Sequence, residues 1–442
     1  MSVEDRTDPY SATRLIREHL IGDGYEIVFD LEKSHGSWVV DARDGREYLD
    51  FYTFFASLPL GFNHPVFQEA GVSERIARAA LHKPANSDAH TCELAGFVRT
   101  FSGLAMPADF KHLFFIEGGA LAVENALKTA FDWKSRKNLE AGKGGVEGDK
   151  ILHFQEAFHG RSGYTMSLTN TSPEKTALYP QFDWPRVSNP KVHFPLSSEE
   201  ASRVSLAENE CADQIRGAFK SNQDRIAGII IEPVQGEGGD NHFRPEFFRC
   251  LRDLADEYEA LLIFDEVQTG FGLTGKMWAY ENFDVCPDIL CFGKKSQVCG
   301  IMAGPRVDEV EDNVFSLSSR INSTWGGGLV DMVRCETILE TIEAEGLVEN
   351  AKLVGSSFLK GIEEIANKFP GKINNPRGLG LMCAFDCSTP GIRNKVLELC
   401  LANGLLAIAC GHCSVRFRPP LTLSKEEAAE GLERLEVSIR QA

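Results

Sequence analysis

The stretch Ala260-Leu-Leu-Ile-Phe-Asp-Glu-Val-Gln268, with Asp288-Ile-Leu-Cys-Phe-Gly-Lys294-Lys295 some way beyond it, decides the reading of this chain. Each is an apolar run of strand length ending in ionisable groups, the pattern of a parallel strand covered on both faces. Ligands of open α/β sheets gather at the C-terminal edge of the strands. The two runs therefore deliver a carboxylate, Asp265, and an amine, Lys294 or Lys295, to one rim. A lysine amine there can form a Schiff base, and a carboxylate can hold a pyridinium nitrogen protonated. Pyridoxal phosphate asks a protein for those two groups. Either residue alone is an ordinary surface group, so it is the pair that carries the reading.

Working outward, Leu113-Phe-Phe-Ile116, Ile151-Leu-His-Phe154 and Ile226-Ala-Gly-Ile-Ile-Ile231 read as further strands. Helices are expected over Ala120–Lys137, where Leu121, Leu127 and Phe131 share a face, and over Pro245–Tyr258. Strands alternating with helices predict a mostly parallel central sheet. Before them, residues 11–30 read as a helix and then an extended segment. Trp38-Val-Val-Asp41 and Glu47-Tyr-Leu-Asp-Phe-Tyr52 read as two short strands about a turn at Asp44-Gly45. After Trp325-Gly-Gly-Gly328 a helix is expected through Met332–Glu345, then a smaller α+β region closing on a helix over Glu426–Arg440. The expected organisation is an N-terminal segment (1–64), a large domain (65–328) and a C-terminal small domain (329–442).

Composition narrows the function. The 442 residues carry a formal net charge of -18, which argues against a nucleic-acid or anionic-membrane partner. No run approaches the ~18 apolar residues of a membrane span, and the stretch Met1–Tyr10 has no leader-like pattern. The 12 cysteines are scattered, as buried free thiols of a reducing compartment are, so a cytoplasmic location is expected. Cys410-Gly-His412-Cys413 lacks a second ligand pair at zinc spacing, and no metal is expected.

Several residues suit the cofactor chemistry. Glu117-Gly-Gly-Ala120 joins a strand to a helix, where free N–H groups can receive a phosphate. Thr324 could add a hydroxyl to the same phosphate. Phe158, in Phe158-His159-Gly160-Arg161, follows a strand and could stack on a flat ring, while Arg161 could hold a carboxylate in a bidentate pair. Glu232-Pro-Val-Gln-Gly-Glu237 places two glutamates after a strand. Arg416 and Arg418 alternate about Phe417, and one of them is a candidate partner for Glu237 or for an acid substrate.

In order and spacing, Gly118-Gly119-Ala120, Phe158-His159-Gly160, Glu232 to Glu237, Asp265 to Gln268, Gly293-Lys294 and Thr324 resemble the class III aminotransferases of pyridoxal phosphate fold type I. The resemblance spans nearly the whole chain. It implies an α/β fold like that of aspartate aminotransferase, with a seven-stranded-type, mostly parallel sheet in a large domain and a smaller α+β domain. Segments such as Phe158-His-Gly-Arg-Ser-Gly-Tyr164, Phe182-Asp-Trp-Pro-Arg186 and Arg416-Phe-Arg-Pro-Pro420 look like the members that act on the ε-amine of L-lysine, more than those acting on ornithine or 4-aminobutyrate. By that resemblance Lys294 is the catalytic Schiff-base lysine, Asp265 the pyridine-nitrogen partner and Gln268 the ring-hydroxyl contact. Val267 and Phe158 flank the ring beside His159, and Gly119, Ala120 and Thr324 form the phosphate cup. Thr324 is given across a homodimer interface. Arg161 takes the lysine carboxylate, and Arg416 the 2-oxoglutarate carboxylate, with Glu237 as its switch partner. Phe55 and Ala56, in a segment bulkier than the class pattern, close the substrate pocket. The implied reaction is a ping-pong transfer from L-lysine to 2-oxoglutarate. Another ω-amine donor, or a non-catalytic binding protein on the same fold, are the competing readings.

Overall fold

The computed structural model describes residues 8–22 and 24–442. The opening residues, on which the absence of a leader was read, lie largely outside that range. The strands are β1 (Trp38–Val40), β2 (Glu47–Asp50), β3 (His112–Ile116), β4 (Lys150–Phe154), β5 (Arg186–Val187), β6 (Ile226–Ile231) and β7 (Leu261–Asp265). They continue with β8 (Ile289–Phe292), β9 (Cys299–Ala303), β10 (Ile373–Leu379), β11 (Met382–Cys387), β12 (Leu405–Leu406), β13 (Ile408–Cys410) and β14 (Ser414–Phe417).

The central sheet has seven strands in the order β3-β9-β8-β7-β6-β4-β5. All run parallel except β9, which is antiparallel to both β3 and β8. Every residue of β6, β7 and β8 is buried, because helices cover both faces. The period-two alternation of a strand is visible in the packing. Leu261 and Ile263 meet Val123, Ala126, Leu127 and Ala130 of the helix Gly119–Glu140. Leu262 and Phe264 join Phe247, Phe248 and Leu251 of the helix Pro245–Glu257 on the other side. Each such side chain contributes roughly 1.5–3 kcal/mol by leaving water, so β7 is held from both faces and Asp265 at its end has a fixed position.

A four-stranded antiparallel sheet, β10-β11-β14-β13, follows later in the chain and carries Arg416 on β14. A third sheet, β1-β2-β12, has β2 paired parallel to β12, so residues 47–50 are tied to residues 405–406. The first helix is shorter than its sequence pattern: it spans Pro9–Arg17 and stops ahead of Gly22 and Gly24. No helix among the described residues is long and apolar enough to cross a membrane.

After β2 the chain makes a left-handed turn of four consecutive non-glycine residues, Thr53, Phe54, Phe55 and Ala56, with φ of 39°, 51°, 61° and 69°. Left-handed backbone costs an L-residue roughly 1–2 kcal/mol, so something must hold it. Asp50 Oδ1 accepts the N–H groups of Tyr52 at 2.8 Å and Thr53 at 2.9 Å. Thr53 Oγ1 donates to the Arg418 carbonyl at 2.6 Å. The rings of Phe54 and Phe55 pack on Phe29 and Tyr52.

Burial pushes the Asp50 carboxyl up to about 6, against the two N–H groups of Thr53 and Tyr52. An unfolded aspartate titrates near ~3.9. The folded value lies above the unfolded one, so stability is present below about pH 4 and is lost as pH rises to about 6. Asp50→Asn keeps the acceptor oxygen and removes this titration. The variant should therefore gain on the wild type between those pH values, by about 2–3 kcal/mol at pH 8. Urea unfolding of both proteins at several pH values checks it; a difference independent of pH would exclude this role for Asp50.

Candidate active site

Five strand ends converge. β3 leads through Gly118 into the helix Gly119–Glu140, β4 leads to Phe158 and His159, β6 to Glu232, β7 to Asp265 and β8 to Gly293-Lys294. Between them lies a cavity of about 640 Å³. Gly119, Ala120, Phe158, His159, Arg161, Asp265, Val267, Gln268 and Lys294 are among the residues that line it.

The two lysines face different surroundings. Lys294 lines the cavity. Lys295 is buried away from it and donates its Nζ to the Gln268 carbonyl at 2.6 Å. Lys294 adopts a left-handed φ of 53°, a strained setting of the kind found at functional positions. The residue before it must be glycine, because a Cβ at 293 would sit 2.7 Å from Cys299 Sγ. Burial first, and then Arg416 and Arg418, lower the Lys294 amine to about 8 against the opposing pull of Asp265 and Glu232.

Asp265 is fixed by two hydrogen bonds. Its Oδ2 lies 2.8 Å from His159 Nδ1, and its Oδ1 accepts the Val267 N–H at 3.1 Å. Glu232, also on the cavity wall, accepts the N–H groups of Phe158 and Gly236. Burial first, with Asp265 adding to it, raises its carboxyl to about 7 against His159 and the two N–H groups.

These residues fit pyridoxal phosphate. The cavity holds an amine, a carboxylate braced by an imidazole, and the first turn of a 22-residue helix whose free N–H groups suit a phosphate. Gly119 is required at that turn, since a Cβ there would meet Val267 Cγ1 at 2.8 Å. Val267 and Phe158 both line the cavity, as residues flanking a flat ring would.

Beside the cavity stand the two late arginines, now distinguished. Arg416 is buried, and its Nη2 bonds Glu237 Oε2 at 2.5 Å. Arg418 is locked into a buried ion pair with Asp240, its Nη1 and Nη2 on the two carboxylate oxygens at 2.9 and 2.5 Å. Both arginines donate to Gln268 Oε1, Arg416 at 3.3 Å and Arg418 at 2.9 Å. That direction turns the amide NH2 of Gln268 away from them. The Arg416 guanidinium also lies 5.7 Å from the Phe55 ring.

One expected contact falls elsewhere, at Ala56. Ala56 is buried within the left-handed turn, and the following Ser57 and Leu58 line the cavity instead. Thr324 is exposed and away from the cavity of its own chain. Arg161 is exposed at the cavity mouth, where an open groove of about 1160 Å³ adjoins. Residues not singled out beforehand also belong here. Asp240 anchors Arg418, and Lys175 reaches Glu237 from a loop. No spacing signal marks either, because each meets its partner only through the fold.

The sequence model of the family described as "Aminotransferase class-III" matches residues 22–439. The chain is 51% identical over 422 residues to the L-lysine-epsilon aminotransferase of Mycobacterium tuberculosis, covering 95% of this chain and 93% of the relative. It is 47% identical to the enzyme of the same name from Amycolatopsis lactamdurans, covering 98% and 96%. The solved lysine aminotransferase from M. tuberculosis superposes with a TM-score of 0.96 at 49% identity, covering 98% of this chain and all of that one.

Proposed function

The chain belongs to the class-III aminotransferases, and on that premise we propose that it transfers the ε-amino group of L-lysine to 2-oxoglutarate. The products are 2-aminoadipate 6-semialdehyde, which cyclises to 1-piperideine-6-carboxylate, and L-glutamate. The observation that carries the substrate reading is the Glu237–Arg416 pair. An uncompensated buried arginine is costly, and Glu237 supplies the countercharge in a site that must first take a donor with only one carboxylate.

Pyridoxal phosphate, bound in the cavity, supplies an electron sink for the charge that develops when a C–H bond beside nitrogen breaks. The protein's residues do the rest. Lys294 would hold the cofactor through its amine, and as a free amine it would move the proton at the substrate ε-carbon. Asp265 keeps the ring nitrogen protonated, and His159 keeps Asp265 oriented. Gln268, whose Oε1 is taken by the two arginines, would present its NH2 to the ring hydroxyl. Val267 and Phe158 confine the ring, and Gly119 and Ala120 receive the phosphate. Arg161 at the mouth grips the lysine carboxylate, which leaves the ε-amine pointing inward. When the oxo acid enters, its carboxylate replaces Glu237 on Arg416, beside the Phe55 ring.

The working unit is read as a cytoplasmic homodimer. Its support is Thr324, exposed on its own chain and suited to complete a partner's phosphate cup. The division into segment 1–64, large domain 65–328 and small domain 329–442 is supported by the two main sheets, built from residues 112–303 and 373–417.

A panel of amino donors with 2-oxoglutarate, followed by absorbance, tests the reading. Lysine should outperform ornithine and 4-aminobutyrate, and the reverse order would refute it. Glu237→Ala should shift preference toward α-amino donors such as glutamate. Arg416→Ala should slow the 2-oxoglutarate half-reaction by about 100-fold, consistent with loss of a buried charge-assisted contact, and the lysine half-reaction far less. Single-turnover measurements separate the two, and equal losses in both half-reactions would rule out the switch.

A further inference from the structure

Glu237 does not face one cation but two. Its Oε2 bonds Arg416 Nη2 at 2.5 Å, and its Oε1 bonds Lys175 Nζ at 2.5 Å. Lys175 closes the short turn Pro173–Lys175 in the loop between β4 and β5. Its amine also reaches Thr171 Oγ1 at 3.3 Å and lies 5.4 Å from the centre of the Phe158 ring. It therefore stands in the groove that adjoins the cavity and holds the Glu237 oxygen that Arg416 leaves free. The Arg416 side chain is 1% exposed, whereas Glu237 and Lys175 are 27% and 26% exposed. Burial works against the Glu237 charge; Arg416 and Lys175 together overcome it and hold the carboxyl below its ordinary range.

We infer that Lys175 is a positioning residue for the second half-reaction: it retains the Glu237 carboxylate when a substrate carboxylate takes Arg416. This rests on the reading of Glu237 as the group that vacates Arg416. In the closed arrangement Glu237 has two cationic partners; with Arg416 surrendered it has one. Removing Lys175 thus takes one of two partners from the closed state and the last partner from the open state. A half-buried carboxylate with no partner is the costlier of the two outcomes. The loss must then fall on the dicarboxylic oxo acid, and on glutamate in reverse, rather than on the ω-amine.

The test uses the cofactor-loaded enzyme and single turnovers of each half-reaction. Lys175→Met keeps most of the side chain's bulk and removes its charge. It should raise the 2-oxoglutarate concentration for half-maximal rate by about tenfold, equivalent to about 1.4 kcal/mol, with less than about a twofold change in the lysine half-reaction. Lys175→Arg should restore most of the loss. In a Glu237→Ala background, Lys175→Met should add nothing to the 2-oxoglutarate defect, because there is no carboxylate left to retain. A general attraction of Lys175 for anions would persist in that background, and a merely structural role would weaken both half-reactions alike. Either result overturns the inference. The oxo-acid half-reaction can be read with whichever donor the enzyme accepts, so failure of lysine as donor would sink the substrate reading and leave this test standing.

Discussion

Lys294→Ala is expected to fold, and to turn over at least about 10,000-fold more slowly than the wild type, since one residue serves as both attachment point and proton carrier. Three features single out Lys294. It faces the cavity, its backbone is held left-handed, and burial has brought its amine down to about 8. A neutral amine is therefore accessible near neutrality, where an ordinary lysine at ~10.4 offers almost none. Lys295 cannot take over, because its Nζ is committed to the Gln268 carbonyl on the far side of the turn. Borohydride reduction followed by peptide mapping should find the cofactor on Lys294. A label on Lys295, or substantial turnover in Lys294→Ala, would overturn the assignment.

Asp265→Asn should retain the fold and much of the bound cofactor but lose about 1000-fold in kcat, or about 4 kcal/mol of transition-state stabilisation. The amide is nearly the same size and can still accept the Val267 N–H. It cannot supply the negative charge that keeps a ring nitrogen protonated, and it disturbs the contact with His159 Nδ1. The effect belongs in kcat, because the charge matters most when electrons flow into the ring. Cofactor content by absorbance and kcat from steady-state kinetics separate the two. Turnover within a few-fold of wild type would refute the role given to Asp265.

The legible parts of the chain are those whose physics is local. Leu261 to Phe264 read as a doubly covered strand because each side chain is apolar, and Asp265 read as an edge residue because the pattern stops there. The choice between Lys294 and Lys295 was not local. It depends on a φ sign and on the closeness of Cys299 to Gly293, neither of which spacing reveals; the sequence offers only the place of Lys294 directly after Gly293 and the family resemblance. Arg416 and Arg418 look interchangeable in sequence, and only β14 and its neighbours give them different partners, Glu237 and Asp240. Lys175 meets Glu237 across a loop with no periodicity to read. The left-handed turn at Thr53–Ala56 contains no glycine, so the usual marker of such backbone is missing.

The pairing of β2 with β12 has a consequence for how the enzyme comes into being. Leu49 N–H bonds the Gly404 carbonyl, Phe51 N–H bonds that of Leu406, and Arg418 N–H bonds that of Phe51. The early strand therefore waits for nearly the whole chain to be translated, on the order of half a minute at typical ribosome speeds. The large sheet, complete by residue 303, meets no such delay. A ribosome thus finishes most of the cofactor's cradle first and the arginine end last, when Arg416 and the turn bearing Phe55 are stitched together. A nascent chain stopped short of residue 405 would already possess Asp265, Lys294 and Glu237 but not Arg416, the cation with which Glu237 pairs.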